Sequence, residues 1–448
     1  MKKFINSISI AVVFFSVLSV SAQKKWSLKD CILYAKEHNI NVLKQKIQSE
    51  ISNSDVVIAK GNYLPNASFN ASQNFSLGNS FDVSTGVGKS ESRSNSFSLS
   101  SSTLIFKGFS NKYTLQKSKL NKLKAASEID KIRFDLRLNV TNKFLQVLFQ
   151  KELLKIAEDQ VVISKNNFDR LKLLYEEILI SKRDLLEIEA TLASDRKEVI
   201  VIKNKVNTSL IELKELLGIN EIENFDIDEL IDDNFEQKSN EFYDITNLII
   251  ENNPTIKTAQ FSLELKKKDI QLAKSNFYPS INFNYSYGSN YYHIQGRKDE
   301  VLNQQTNQLI DNGFWTQLNS NRTHYLGFSA SIPIFNRFST RENYKKSKEE
   351  LKIAEIELKN NKFLLRNKII IALNDLNTAK ASLKASEIAY LTQKEAFNIV
   401  QENYKRGNIT NVVFLESKSK MTRNASEYVK AKFEFIFKLK VVKYYNKV

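Results

Sequence analysis

Two hydrophobic periods alternate along the chain, and each occurs twice. Ile129, Ile132, Leu136, Val140, Phe144 and Val147 recur every three or four residues, the spacing of a helix with one apolar stripe. From Phe109 to Leu174 there is no Pro and no Gly. One helix over that span would be about 100 Å long at 1.5 Å per residue. Leu365, Ile369, Leu373 and Leu376 repeat the stripe within residues 338–403. Helices of this length need partners along their whole length, as coiled coils have. Residues 182–217 and 410–445 continue the pattern and supply antiparallel ones.

The other period is two. After Pro65, Ala67, Phe69, Ala71, Phe75 and Leu77 alternate with Asn66, Ser68, Asn70, Ser72, Asn74 and Ser76. Phe97, Leu99 and Ile105 then alternate with Ser94, Ser96, Ser98 and Ser100. After Pro279, Ile281, Phe283, Tyr285, Tyr287 and Tyr291 take one face, and Ser280, Asn282, Asn284, Ser286 and Asn290 the other. A fourth run sets Leu326, Phe328, Ala330, Ile332 and Ile334 against Tyr325, Ser329 and Ser331. This predicts hairpins over 66–106 and 280–335, each entered from a helix stopped by its Pro. One such helix is expected over Leu28–Tyr63 as a single piece. Strands of about ten residues suffice to cross a bilayer at a tilt. Small uncharged polar faces suit a wet lumen, with an apolar side toward lipid. Alternation alone also fits a soluble sandwich. Four strands cannot close a useful barrel, and lipid does not tolerate open edges, so a membrane reading requires association with further copies.

The two halves are copies. "AKGNYLPNASFN" at 59–70 returns as "AKSNFYPSINFN" at 273–284, and "EHNINVLKQ" at 37–45 matches "ENNPTIKTA" at 251–259 with the same offset of 214. "LIFKGFS" at 104–110 matches "PIFNRFS" at 333–339, and "YEEILISKRDLLE" at 175–187 matches "YKRGNITNVVFLE" at 404–416, both offset by 229. The extra 15 residues fall between Pro279 and Phe335 (229 − 214 = 15). A long duplication is a statement about the fold and outranks local propensity. It divides the chain into a leader over 1–22, a first repeat over 23–217, an acidic segment over 218–246 and a second repeat over 247–448.

Composition changes this picture little. Lys2, Lys3, an apolar run from Ile8 to Val20 and the small residues Ser21-Ala22 have the form of a cleaved secretory signal. No later run reaches 18 apolar residues, so no helical span is expected. Cys31 has no intramolecular partner and is expected to be a small buried residue. The net charge of +16 is spread along the helical stretches, as on solvated helix faces, and no nucleic-acid motif accompanies it. The acidic run "EIENFDIDELIDDNFE" at 221–236 stands apart as solvated surface. There is no phosphate-binding loop, nucleophile elbow or HExxH motif, so neither enzyme nor cofactor is expected. His293 and His324 flank the long loop 293–321 without a carboxylate cluster of set spacing, too little for a metal site.

The duplication, the Pro corners, the "IF-x-x-F-S" strand exits and the tyrosine-started helix turns together resemble the TolC family of outer-membrane efflux proteins, over nearly the whole chain. That resemblance implies a mainly α fold with transmembrane β: a homotrimer in which four strands per chain form a 12-stranded outer-membrane barrel above a periplasmic α-helical tunnel. Pro65 and Pro279 would mark the helix-strand corners, with Phe69, Phe283, Tyr285 and Phe328 toward outer-membrane lipid. Loops 81–92 and 293–321 would be extracellular, and the acidic segment a belt beside the helices. The chain would be the passive exit duct for an inner-membrane transporter, joined through a periplasmic adaptor that docks at the turns around Tyr175–Ser181 and Tyr404–Thr410, Gly407 included. By the family pattern, acidic residues after each turn line a periplasmic gate: Asp184 and Glu187 in the first repeat, Glu416 in the second. Val413 stands where the family's more distal acidic residue is expected, and Ile178 where the second repeat has Gly407. A ring of such carboxylates would favour cations; the same carboxylates also fit an exposed helix, each paired with a nearby Lys.

Overall fold

The computed structural model describes residues 25–82, 86–219, 225–228 and 246–446. The signal-like leader and most of the acidic run lie outside these. In chain order the helices are α1 (Leu28–His38), α2 (Ile40–Gly61), α3 (Ser110–Glu176), α4 (Lys182–Leu217), α5 (Thr246–Asn252), α6 (Pro254–Ser275), α7 (Phe314–Ser320), α8 (Ser339–Lys405) and α9 (Asn411–Asn446). The strands are β1 (Asn66–Asp82), β2 (Gly86–Lys107), β3 (Ser280–Ile294), β4 (Glu300–Asn303), β5 (Gln308–Asp311) and β6 (Thr323–Ser331).

The duplication is repeated in backbone geometry. α3 and α8 both have 67 residues, α4 and α9 both 36, and α2 and α6 both 22. Positive φ occurs in matched places: Gly108 and Phe109 at 53° and 63°, and Arg337 and Phe338 at 56° and 64°, 229 residues on. Gly108 has no alternative, because a Cβ there would lie 2.7 Å from the Ser275 carbonyl oxygen. After α2, Tyr63 and Leu64 donate back to Lys60 and Gly61; after α6, Phe277 and Tyr278 donate to Lys274 and Ser275. Each tight turn delivers the chain to its proline, Pro65 or Pro279, and then to a strand.

Several expectations are corrected. The helix expected over Leu28–Tyr63 is two helices, because Asn39 takes an extended ψ of 131° and its side-chain amide donates to the Leu216 carbonyl at 2.8 Å. Asn253 breaks the second copy with a ψ of 132°, capping Thr255 N–H at 2.9 Å. An Asn side chain that can replace backbone hydrogen bonds permits a break inside an apolar periodic run. The strand expected through Ile334 stops at Ser331; Pro333, two residues on, has no N–H to donate to a ladder. Ile105 does not share a regular face with Phe97 and Leu99. It is the extra residue of a bulge, since Leu104 pairs with Asn282 and Phe106 with Ile281. The long loop holds more than irregular chain: β4 and β5 pair as a hairpin, followed by α7.

Contacts divide the chain into two compact units, each drawing on both repeats. Of the described residues, one comprises 25–40, 135–219, 225–228 and 372–446. Its core holds Val140, Phe144 and Val147 of the α3 stripe, with Ile188, Leu213, Phe414 and Ile436, all nearly or fully buried. Here Trp26 forms a parallel bridge with Ile227, and Lys151 pairs with Asp226 at 2.6 Å. These contacts hold the described piece of the acidic run, 225–228.

The other unit comprises described residues 41–82, 86–134 and 246–371 and contains the sheet, ordered β1-β2-β3-β6 and antiparallel throughout. The register keeps the two faces distinct across all four strands. Asn66, Ser102, Asn284 and Gly327 form one row, and Ser68, Ser100, Ser286 and Tyr325 the next. Ser102 donates to Asn284 at 2.9 Å, and Asn284 to Ser329 at 3.2 Å, so the polar face is hydrogen-bonded across strands. The opposite face carries Phe69, Leu99, Phe283, Tyr285, Leu326 and Phe328, with Phe283 and Phe328 directly paired at 5.2 Å between ring centroids. Phe69 and Phe328 are 67% and 75% exposed within one chain, whereas Phe283 and Tyr285 are half-buried. No helix among the described residues is long and apolar enough to cross a membrane.

Candidate functional site at the two helix turns

The turn between α3 and α4 starts at Tyr175 in the last turn of α3 and passes through Ile178, 90% exposed with φ 61°. A β-branched residue in the left-handed region is strained. The matching turn between α8 and α9 has Gly407 at φ 80°, with nothing within 4 Å of an added Cβ. Both repeats therefore use the same backbone path, and only the second has the residue suited to it.

Ser181 caps α4. Its Oγ accepts from the Asp184 N–H at 3.2 Å and donates to the Asp184 carboxylate at 2.7 Å. Asp184 is thus held at the cap of its own helix. Glu187, one turn further, accepts from Arg183 Nε at 3.0 Å. Glu416 pairs with Lys420 at 2.7 Å, one turn on along α9. That hydrogen bond and the lysine charge hold the Glu416 carboxyl below the usual glutamate range. A depressed carboxylate gains from its partner above its ordinary pKa, and the gain is lost as pH falls through the lowered value. Both glutamates are bridged to cations of their own helix, and Val413, also exposed, stands one turn before Ser417.

The second turn has its own core. Tyr404 stacks on Phe414 at 4.5 Å, Phe397 lies 5.7 Å from Phe414, and Ile163 and Ile409 pack against the three. The Tyr404 hydroxyl donates to Asn411 Oδ1 at 3.1 Å, and burial pushes its pKa up. Thr410 accepts through its carbonyl from Phe414 N–H at 3.2 Å and so opens α9.

Sequence reading missed Arg170. Its guanidinium lies over the Tyr404 ring at 5.1 Å and donates to the Tyr404 and Lys405 carbonyls, both at 3.0 Å. Those carbonyls belong to the last turn of α8, where a cation completes unsatisfied groups and meets the negative helix end. Sequence reading also missed Lys418, which is 5% exposed, bonded to Ser164 of α3 and paired with Asp195 of α4 at 2.5 Å. Its signal was available: Lys418 falls four residues after Phe414 on the stripe that continues to Ala425.

Among the described residues no group of three or more His, Cys, Asp or Glu could hold a metal ion. His293 bonds Asp299 at 2.8 Å, and His324 lies against Tyr285 and Tyr287.

The sequence pattern of outer membrane efflux proteins matches residues 32–219 and 245–434, covering both repeats. The chain belongs to that family. Solved structures agree in fold. The Campylobacter jejuni CmeC outer membrane channel is 17% identical with a TM-score of 0.78, over 93% of this chain and 85% of that one. The Vibrio cholerae outer membrane protein VceC is 13% identical with a TM-score of 0.76, over 93% and 95%. A Pseudomonas aeruginosa membrane protein is 15% identical with a TM-score of 0.76, over 93% and 89%. No curated protein sequence matches the chain. By family the chain is thus an outer membrane efflux protein and not an enzyme.

Proposed function

We propose that this outer-membrane efflux protein works as a homotrimeric, passive exit duct. Three four-stranded sheets close one 12-stranded barrel, and the helices continue it as a periplasmic tunnel. An inner-membrane transporter supplies the energy and a periplasmic adaptor joins it to the duct. The observation that carries this reading is the sheet itself. One face is a hydrogen-bonded field of Ser and Asn, the other is aromatic and aliphatic, and among the described residues β1 and β6 leave both edges unpaired. In lipid an unpaired edge is costly, and pairing with further copies removes it.

In this reading Pro65 and Pro279 stand where helix passes to barrel, Phe69, Phe283, Tyr285 and Phe328 meet lipid, and the adaptor docks on the two helix turns. The exposed Ile178 and the open Gly407 suit docking, since no described residue covers either. The test is the mass of the protein extracted from purified outer membrane in mild detergent, followed by planar-bilayer conductance. A trimer with channel currents supports the duct. A soluble periplasmic monomer removes it and leaves a coiled-coil adaptor without a pore.

Asp184, Glu187 and Glu416 are proposed as a carboxylate ring at the periplasmic end, repeated three times in the trimer. Replacing Glu187 and Glu416 with Ala should raise basal conductance or weaken block by divalent cations severalfold. Unchanged currents and unchanged block would remove the ring and leave these glutamates as partners of Arg183 and Lys420 alone.

A further inference from the structure

The long loop of the second repeat is fastened to one side of the sheet. The pairing of β3 with β6 ends where Gly288 meets Thr323, and β3 runs on to Ile294. α7 covers the edge left there with side-chain amides. Gln317, 7% exposed, accepts from the Tyr292 N–H at 2.9 Å and donates to the Tyr292 carbonyl at 3.0 Å. Asn321 donates to the Asn290 carbonyl at 2.7 Å. Covering an edge in this way removes unpaired backbone groups. α7 also lies over one face. Phe314 meets Tyr291 at 5.0 Å and Phe97 at 6.5 Å between ring centroids, and the Leu318 carbonyl accepts from Ser289 at 2.7 Å. The base of the β4–β5 hairpin is tied to the same side, where Asp299 accepts from the Tyr291 hydroxyl at 2.8 Å and bonds the His293 ring at 2.8 Å. Alternate residues of a strand share a face, so Ser289, Tyr291 and His293 stand on the face of Phe283 and Tyr285, opposite the Ser and Asn rows.

We infer that residues 295–322 form a membrane-lying insert: it rests on the outer leaflet beside the barrel, with Trp315 and the β4–β5 hairpin against lipid at headgroup level, and does not stand over the pore. This rests on the lipid-facing assignment of the aromatic face proposed above and adds a second, separate surface that meets lipid. The height fits. Tyr291 is 11 residues past Ser280, where β3 begins (291 − 280 = 11). At about 3.3 Å per residue and a tilt of about 40°, those residues rise about 28 Å, against an apolar band about 25 Å tall in membrane barrels. α7, seated on Tyr291, is then at the outer border of that band. Tryptophan is favoured at such a border because its ring is apolar and its N–H is polar.

The exposed side chains agree. Trp315 lies 5.1 Å from the anchored Phe314 ring and is 79% exposed. In the hairpin Val301 pairs with Ile310 and Leu302 with Leu309, so both of its faces are apolar, and all four side chains are exposed. A two-stranded hairpin has little stability of its own in water, and apolar surface gathered in one place marks a contact site. Lipid beside the aromatic face covers that surface and is continuous with the lipid that Phe283 and Tyr285 meet lower on the same strand. Charge does not select the headgroup, because Arg297, Lys298 and Arg322 balance Asp299, Glu300 and Asp311. The partner is therefore the lipid interface itself, and an uncharged-on-balance bilayer suffices to hold the insert.

Tryptophan fluorescence tests this, because the chain has only two tryptophans, Trp26 and Trp315. Trp26→Phe leaves Trp315 as the single reporter. The full chain is reconstituted in phosphatidylcholine vesicles whose lipid carries bromine either high on the acyl chains or near their ends. The expected result is quenching of Trp315 by both lipids, about twofold stronger by the high label, as for a ring at headgroup level. If Trp26→Phe does not assemble, the difference between the parent and Trp315→Phe gives the same signal. Phe283→Trp, in a chain that also carries Trp26→Phe and Trp315→Phe, reports separately whether the sheet is in the bilayer. Quenching at position 283 without quenching of Trp315 overturns the insert and leaves the barrel standing. Aqueous iodide then tells what replaces lipid: quenching by iodide puts Trp315 in water, and protection from iodide puts it under another copy of the chain. Quenching at neither position overturns the insert together with the barrel.

Discussion

Asp195→Ala should destabilise the helical unit by about 3 kcal/mol, because it leaves a lysine charge buried without its partner. Lys418 reaches from α9 to Ser164 on α3 and Asp195 on α4, and its side chain is 6% exposed. Asp195 keeps 23% exposure, which puts the cost at the low end of the range for a broken buried pair. Lys418→Met removes the charge and keeps most of the stem volume, so it should cost less than Asp195→Ala although it abolishes the same pair. The double variant Asp195→Leu with Lys418→Met should return to near the parent. Thermal or denaturant unfolding of the detergent-solubilised protein, compared across these variants, reads the order directly. If Asp195→Ala is no worse than Lys418→Met, water reaches the lysine and the pair is not a buried constraint. The cluster also breaks the repeat, since the positions matching Ser164, Asp195 and Lys418 are Gln393, Asn424 and Glu189. This contact therefore distinguishes one helix pair from the other within a duplicated scaffold.

The sequence made the long-range order legible because duplication and periodicity are redundant signals. Each of the four long helix boundaries lies within about two residues of the expected one, since breakers flank long uninterrupted runs. The breaks at Asn39 and Asn253 were not legible in the same way. Apolar spacing continues across them, and the break depends on a side-chain amide reaching a carbonyl 177 positions away at Asn39. The bulge at Ile105 was hidden for a related reason: alternation shows which face a residue prefers, but an inserted residue is visible only once the partner strand is in place. At the turns, Gly407 announced a left-handed residue and Ile178 did not, although both adopt it. The acidic candidates follow from the family's pattern after each turn, whereas Arg170, which ties α3 to the last turn of α8, is recognisable only once those two helices are packed. Lys418 could have been suspected from its place on an apolar stripe. Arg170 left no such trace, because a cation near a tyrosine is common on any basic helix.

Phe283→Asp should abolish or strongly reduce assembly in the outer membrane, whereas Ser286→Asp, three residues along the same strand, should assemble. The two positions lie on opposite faces of β3. Phe283 pairs with Phe328 on the aromatic face, and Ser286 with Ser100 and Tyr325 on the polar one. On the proposed lipid-facing side, removing the ring forfeits about 2 kcal/mol of apolar burial, and an acid there adds about 1–2 kcal/mol depending on depth. The proposed trimeric barrel would carry the change three times, so the total would exceed what a barrel near its stability margin tolerates. Phe69→Asp should behave in the same way on β1, with Phe283→Leu as the control that keeps the face apolar. The readout is the yield of heat-modifiable oligomer in purified outer membranes. Reduced yield for Phe283→Asp and Phe69→Asp but not for Ser286→Asp fixes the aromatic face as the lipid side. The reverse order would place Ser and Asn outward, against the fall in free energy that puts aromatic rings in lipid. Equal yields from all of them would mean that the sheet does not enter the bilayer, and the open edges of β1 and β6 would then need a different partner.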